Sequence, residues 1–345
     1  MATIKVEELQ GFAAELLSKA GFGADQARDM AELLVWANLR GIDSHGVLRI
    51  PRYIEMLRLG LVSAEADIAE VRRFGAVCVL DAGKAPGAVA MNRAVEEACD
   101  LARTFGLGWC GVRKTSHAGA IGYFVRKLTE RGMIGIAMTA SKPLMAYFGA
   151  KGEALSTNPL AIGIPQPEGH PPLILDMSTA AVALGKIMAA KDGNREIPVG
   201  WAIDAEGADT TDPHKVAALL PMAGAKGSGL SLMIEILCSL LVDNPNIAPV
   251  LAGGKSGGFN GMILAVDPGA LGDRDGFLDH VAALAGAIHG LTPSPGAGKV
   301  MLPGERGHET EQLRAREGIP LAAGTVKRLK EAAAELCVAI PAVLR

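Results

Sequence analysis

The chain has 345 residues, is 49% hydrophobic and carries 43 glycines against only 4% aromatic residues, which suits a tightly turned α/β protein of one large domain or two. Its net charge of −3 leaves no basic footprint, so nucleic acid is not an expected partner. The five cysteines (Cys78, Cys99, Cys110, Cys238, Cys337) are scattered without a C-x-x-C pair, as expected of reduced thiols in a cytoplasmic protein.

The opening "MATIKVEELQ" has charges where a signal peptide needs an apolar core. The longest apolar run, 230–242, contains Glu235 and is too short to span a membrane. The first 60 residues read as helical: Val6, Leu9, Ala13, Leu16 and Leu17 form one stripe. A second helix is expected from Asp25, as its N-cap, to Gly41, and a third from Pro51, a residue suited to a first turn.

From about residue 74 strands and helices alternate. "GAVCVLD" (75–81) reads as a strand, "AVAMNRAVEEACDLARTF" as a helix closed by Gly106, and "GWCGVR" as the next strand. "AIGYFVRKLTER" reads as a helix closed by Gly132, followed by the strand "MIGIAMT". "PLAIGIP", "PLILDM" and "GMILAVD" are further expected strands, with helices at 228–242, 276–290 and in the tail "GTVKRLKEAAAELCVAI". Repeated strand–helix–strand units predict a largely parallel or mixed sheet covered by helices. Both chain ends are helical in character, so the expected layout is discontinuous: 1–73 with 295–345 as a helical domain, and 74–294 as the α/β domain.

"GLGWCG" (106–111) matches the dinucleotide-binding pattern G-x-G-x-x-G. That motif needs a strand before it and a helix after it, so that phosphate meets a helix N-terminus. Here the order is reversed, and Gly106 reads as the end of a helix.

Several stretches could carry chemistry. In "RGIDSHGVLRIPRY" (40–53) Asp43 or Ser44 could simply cap the next helix. Alternatively His45 is a proton carrier oriented by Ser44, with Arg49 holding a carboxylate in a forked pair. In "KTSHAGAIGYF" a strand runs through Ser116 and His117 into a helix whose first turn is Gly119, Ala120, Ile121 and Gly122. Free amides and small side chains there make either an anion seat or a packing turn. "MAGAKGSGLSLMIEIL" (222–237), with Lys226, resembles a phosphate loop but lacks G-x-x-x-x-G-K-[ST] spacing. Asp176 ends a strand, where it could accept ribose hydroxyls or cap a helix beginning at Ser178 and Thr179. Lys142 follows a strand as a second candidate for a carboxylate. The remaining histidines (170, 214, 280, 289, 308) have no metal-ligand spacing, so no metal site is expected.

Six blocks in order, "RGIDSHGVLRIPRY", "TSHAGAIGYF", "FGAKGEALSTNPLAIGIP", "LDMSTAAVALGKI", "IPVGWAIDAEGADTTDP" and "LLPMAGAKGSGL", resemble the malate/L-lactate dehydrogenase family across nearly the whole chain. The resemblance implies a non-Rossmann, L-sulfolactate dehydrogenase-like α/β fold, with helices on both faces of a mixed sheet and a helical domain from both termini. It further implies a homodimer and a nicotinamide cofactor, NAD with NADP as the alternative. By resemblance Ser44 and His45 lie in the active site, Arg49 binds the substrate carboxylate, Lys142 contacts substrate and His117 is the proton acceptor. Cofactor contacts would fall on Gly119, Ala120, Ile121, Gly122, Tyr123, Thr157, Asp176, Met177, Ser178, Ala225, Lys226, Gly304 and Glu305.

The implied reaction is hydride transfer between nicotinamide and C2 of a small 2-hydroxy or 2-oxo acid of malate, lactate or ureidoglycolate type. Ketimine reductases of this family carry an acid shortly after the "LDM" block, where this chain has Gly185 and Lys186. Cyclic imine reduction is therefore the alternative. A non-catalytic dinucleotide-binding subunit is a third possibility, against which stand Ser44, His45, Arg49 and His117, because a binding module needs no proton carrier. The glycine-rich loop "NIAPVLAGGKSGGF" leaves the identity of the acid open.

Overall fold

The computed structural model describes residues 2–296 and 298–345. The N-terminal part holds β1 (Ala2–Ile4), α1 (Val6–Lys19), α2 (Ala24–Leu39) and α3 (Ile50–Arg58), with two 3-10 turns at Asp43–His45 and Val47–Arg49 between α2 and α3. The helix expected to start at Asp25 is capped instead by Gly23, which puts Asp25 inside the first turn, where its charge suits the helix dipole.

The central part contains β2 (Ala69–Phe74), β3 (Val77–Asp81), α4 (Gly87–Phe105), β4 (Leu107–Thr115), α5 (Gly122–Thr129), β5 (Ile134–Ala140), β6 (Leu160–Ile164) and β7 (Leu173–Met177). It continues through α6 (Leu184–Asp192), β8 (Ala202–Ile203), β9 (Ala218–Leu219), α7 (Ala225–Glu235), a π-turn at Ile236–Leu240, α8 (Ile247–Leu251), β10 (Phe259–Val266) and α9 (Arg274–His289). The chain closes with α10 (Glu305–Glu317), β11 (Ile319–Leu321) and α11 (Ala323–Glu335). Antiparallel pairing of β1 with β11 ties the two chain ends together.

A seven-stranded sheet runs in the order β2-β3-β4-β10-β5-β6-β7. Among the described residues its one parallel pair is β3 with β4, joined through α4. β10 enters late in the sequence and lies antiparallel between β4 and β5, so those two strands share a direction without touching. The sheet is thus mixed and mostly antiparallel, a narrower outcome than the strand–helix alternation predicted. β2 was not visible in the sequence pattern because all six of its residues are exposed on the sheet edge.

Alternation along β10 explains the two layers. Ile263 and Ala265 face the main core with α4, while Met262 packs with Ile234 and Cys238 on the opposite face. α4 contributes Met91, Ala94, Val95, Ala98 and Ala102 at helical spacing. It ends at Gly106, which is left-handed at φ 79°, as a helix end requires. A Cβ at Gly108 would stand 2.0 Å from the Ala98 carbonyl oxygen, so close packing of β4 on α4 needs glycine there. A smaller core of Met145, Leu155, Ile187, Ile197, Ala202 and Leu219 supports the segments beyond β5 and β7. The described residues contain no helix long and apolar enough to cross a membrane.

Three local expectations change. The helix after His117 begins at Gly122, because Gly119 is left-handed (φ 71°) and breaks the run. No helix starts at Ser178: its hydroxyl donates to the Thr157 carbonyl and accepts from the Ala180 amide, and α6 begins only at Leu184. The helix expected at 228–242 starts earlier, at Ala225, and passes into the π-turn after Glu235.

Candidate active site

The two 3-10 turns after α2 and the loop between β4 and α5 bring two histidines face to face. The His45 and His117 rings are stacked with centroids 5.6 Å apart and planes 20° apart. Ser44 Oγ lies 2.9 Å from His45 Nδ1, so Ser44 is engaged with the ring and not with a helix end. Asp43 does not cap the next helix either; it is bound by Asn38 and Arg314. Tyr53, on α3, places its hydroxyl 2.8 Å from His117 Nδ1, and the Gly119 amide donates to the same nitrogen at 3.3 Å. His117 Nε2 has no hydrogen-bond partner among the described residues.

Burial pushes the His45 pKa down to about 4, with Arg49 adding to the shift. His117 is held well below its ordinary value, first by burial and then by His45 and Arg49. Two rings this close cannot both be charged cheaply, so both are neutral near pH 7 in the free protein. Burial also raises the Tyr53 pKa, which keeps its hydroxyl protonated.

These groups open onto a cleft of about 560 Å³, which Ser44, His45, Arg49, His117, Gly119, Ala120, Ile121, Lys142, Thr157, Asp176 and Ser178 help to line. Arg49 Nε donates to the Ser44 carbonyl at 2.8 Å, and its terminal nitrogens have no partner among the described residues. Lys142 Nζ is likewise unpaired among them. Arg52, Leu184, Gly185 and Phe259 also line the cleft, and the Phe259 ring meets His117 edge-on at 6.0 Å.

The other end of the cleft is built from backbone and one acid. Asp176 Oδ2 accepts from the Gly122 amide at 2.9 Å. A Cβ at Gly122 would lie 2.8 Å from that oxygen, so this approach requires glycine. Two of the amides expected to be free, those of Gly119 and Gly122, are thus already engaged, by His117 and Asp176. The Asp176 carboxyl opens to solvent in the cleft but has protein on its remaining sides. Burial pushes its pKa up to about 6, offset in part by the Gly122 amide and Arg40.

The remaining sequence candidates lie elsewhere. The Tyr123 side chain is buried against Trp36, with ring centroids 5.5 Å apart. Met177 sits in β7, and Ala225 with Lys226 forms the exposed start of α7. The Gly304 carbonyl accepts from Arg40 at 2.8 Å, while Glu305 pairs with His289 at 3.0 Å. Tyr53 and Phe259 were missed by sequence reasoning. For Tyr53 the signal existed, since it closes the "IPRY" block, but a tyrosine on a helix reads as core.

The family model for malate/L-lactate dehydrogenase matches residues 4–330. The ureidoglycolate dehydrogenase (NAD(+)) of Escherichia coli O157:H7 is 34% identical over 322 residues, covering 92% of each chain. The (2R)-3-sulfolactate dehydrogenase (NADP(+)) of Chromohalobacter salexigens is 34% identical, covering 95% of this chain and 97% of that one. Among solved structures, sulfolactate dehydrogenase from Methanocaldococcus jannaschii superposes with a TM-score of 0.88 at 32% identity, over 97% of this chain and 98% of that one. The delta1-piperideine-2-carboxylate reductase from Pseudomonas syringae superposes with a TM-score of 0.85 at 27% identity, over 96% and 100%.

Proposed function

We propose a function on the premise that the chain belongs to the malate/L-lactate dehydrogenase family, as the match over residues 4–330 and relatives at 34% identity establish. It is a nicotinamide-dependent dehydrogenase that interconverts a small 2-hydroxy acid and its 2-oxo acid. The observation that carries this reading is the grouping in one cleft of His117, the Arg49 guanidinium with its terminal nitrogens unpaired among the described residues, and Lys142.

A substrate carboxylate neutralises Arg49 in a forked pair and fixes C2 beside His117. In the oxidising direction neutral His117 acts as the tautomer whose Nδ1–H donates to the Tyr53 oxygen, which gives up the long contact from the Gly119 amide and leaves Nε2 bare to take the hydroxyl proton. In the reducing direction the incoming carboxylate cancels the repulsion from Arg49, so His117 gains a proton more readily and gives it from Nε2 to the carbonyl oxygen. Ser44 and His45, whose ring stacks on that of His117, orient the substrate from beside it.

The cofactor end suits a dinucleotide: the Gly122 amide holds the Asp176 carboxylate at the cleft wall, where it would accept ribose hydroxyls. Thr157, Ser178 and the backbone of Gly119 to Ile121 would complete it. When bound, the nicotinamide supplies hydride to C2 or accepts it. NAD is the preferred cofactor in this reading, since an ionised Asp176 suits ribose hydroxyls and disfavours added phosphate. The outlying candidates Gly122, Tyr123, Met177, Ala225, Lys226, Gly304 and Glu305 would act from behind the cleft or from its rim.

The same reading takes the protein as a cytoplasmic homodimer. In its support, Met233, Ile236, Leu240 and Leu241 leave an apolar face on α7 and the π-turn more than a third exposed. It also keeps 1–73 with 295–345 as one domain and 74–294 as the other, supported by the β1–β11 pairing. β2 joins the sheet from just before that boundary.

Cyclic imine reduction is the second reading, favoured by the likeness to the Pseudomonas syringae reductase structure. The test is oxidation of NADH and NADPH against pyruvate, oxaloacetate, oxalurate, sulfopyruvate and piperideine-2-carboxylate. Turnover of a 2-oxo acid supports the first reading and names substrate and cofactor together. Turnover of the imine alone replaces it by the second.

A further inference from the structure

Within the Ser44–His45–Arg49 segment Val47 is buried in the core, but the turn that carries Ser44 and His45 is not anchored in this way. The segment consists of two successive 3-10 turns, and the first, Asp43–His45, buries no residue. Such turns have poor internal hydrogen-bond geometry and need outside support. That support comes from α10, whose Arg314 lies 271 residues beyond Asp43 in the chain.

Arg314 Nη1 donates to Asp43 Oδ1 at 2.8 Å and its Nη2 to Asp43 Oδ2 at 3.2 Å, a forked pair across the head of the first turn. The same guanidinium donates to the Asn38 carbonyl. Asn38 Nδ2 donates to Asp43 at 2.6 Å, and Asn38 Oδ1 accepts from the Val47 amide at 2.9 Å, which fastens the second turn to the same point. A Cβ at Gly46 would lie 2.1 Å from Asn38 Oδ1, so nothing separates the two turns from this hub. Arg49 Nε returns to the Ser44 carbonyl and closes the loop. α10 itself buries no residue. It is held by ions: Arg314 to Asp43, and Glu311 to Arg40 and Arg126 at 2.9 Å each.

On the reading of the cleft as a hydroxyacid site, we infer that Arg314 is a positioning residue, which through Asp43 sets the orientation of Ser44, His45 and Arg49 toward the substrate. α10 then serves the site and not the core. A forked pair fixes a direction as well as a distance, which a lysine in the same place does not. A small displacement of substrate-orienting groups is enough to cost about a hundredfold in rate.

The test compares Arg314→Gln, Arg314→Lys, Asp43→Asn and the double variant Asp43→Asn/Arg314→Gln in the full chain. Expected for Arg314→Gln is a loss of about ten- to a hundredfold in kcat/KM for the 2-oxo acid, with KM for the nicotinamide cofactor nearly unchanged. Arg314→Lys should recover part of the loss, and the double variant should be no worse than either single one, as for two partners in one interaction. The imidazole ¹⁵N signals of His45 should move in Arg314→Gln and return toward the wild type in Arg314→Lys. Wild-type kcat/KM with unmoved His45 signals in a folded Arg314→Gln protein overturns the inference, as do losses that add. If Arg314→Gln does not fold, Arg314→Lys and Asp43→Asn carry the same comparison. If the wild type turns over no 2-oxo acid, the functional reading fails, and the His45 signals alone still decide the role of Arg314.

Discussion

The Tyr53 hydroxyl lies 2.8 Å from His117 Nδ1, and the two rings are tilted by 49° with centroids 6.0 Å apart. The Gly119 amide reaches the same nitrogen but can only donate, and so serves only a ring whose Nδ1 is bare. A hydroxyl both donates and accepts, so Tyr53 serves His117 in either tautomer and in the charged form. Removing it leaves the imidazolium Nδ1–H unpaired in a buried place. Tyr53→Phe should therefore lower kcat about tenfold or more, the value of one hydrogen bond to a charged group, with cofactor KM unchanged. Its pH profile for 2-oxo acid reduction should shift to more acid values, because His117 becomes harder to protonate. A profile that does not move would remove Tyr53 from the proton path.

Arg49 has one nitrogen committed to the Ser44 carbonyl and its fork open to the cleft. Arg49→Ala should raise KM for the acid by about ten- to a hundredfold and disturb kcat less. Arg49→Lys should fall between, since a lysine keeps the charge but not the two-point grip. Equal KM values in all three proteins would place the carboxylate elsewhere, with Lys142 the next candidate.

Burial pushes the Asp176 pKa up to about 6, offset in part by the Gly122 amide and Arg40. In the proposed cofactor seat the carboxylate would accept ribose hydroxyls above this value; below it the group is neutral and the acceptor weakens. KM for the cofactor should thus rise as the pH falls through about 6. In Asp176→Asn it should be higher throughout and flat with pH. Steady-state kinetics from pH 5 to 8 would show this, and a pH-dependent KM retained in Asp176→Asn would contradict it.

Glu235 is only 2% exposed, yet its carboxylate is fully used. Oε1 accepts from the Asn246 and Ile247 amides at 3.1 and 3.2 Å, and Oε2 from Ser239 at 3.1 Å. Ser239 in turn accepts from Asn260, beside Phe259 at the cleft wall. Glu235→Ala strands two buried amides and should cost about 2–5 kcal/mol in urea unfolding. Glu235→Gln keeps one acceptor oxygen for those amides and should cost roughly half as much. Equal stability of all three proteins would mean that water replaces the carboxylate.

The strands and helices with apolar periodicity were legible: α1, α4 and β10 announce themselves by the faces they bury. β2 and α10 were not, for one physical reason. Neither buries an apolar face, so neither leaves a stripe in the sequence; β2 is held by its ladder to β3 and α10 by ion pairs. Ser44, His45, Arg49 and His117, which share the cleft, were legible because a Ser-His pair with an arginine shortly after it, and a histidine ahead of a glycine-rich turn, are conspicuous. Tyr53, Phe259 and Arg314 were not, since their roles depend on where a distant element arrives. The insertion of β10 between β4 and β5 is of this kind and no local pattern could foretell it.

On the proposed function, His117 carries the proton between the protein and the oxygen on substrate C2. The most direct test of this is single-turnover oxidation of bound NADH by the preferred 2-oxo acid, in the wild type and in His117→Ala, with NADH affinity measured by fluorescence in both. In His117→Ala, NADH binding should stay within about twofold of the wild type and the rate of NADH oxidation should fall about 10²–10⁴-fold, the usual size of a positioned acid–base group. An unchanged rate in His117→Ala would contradict it and move the proton to His45.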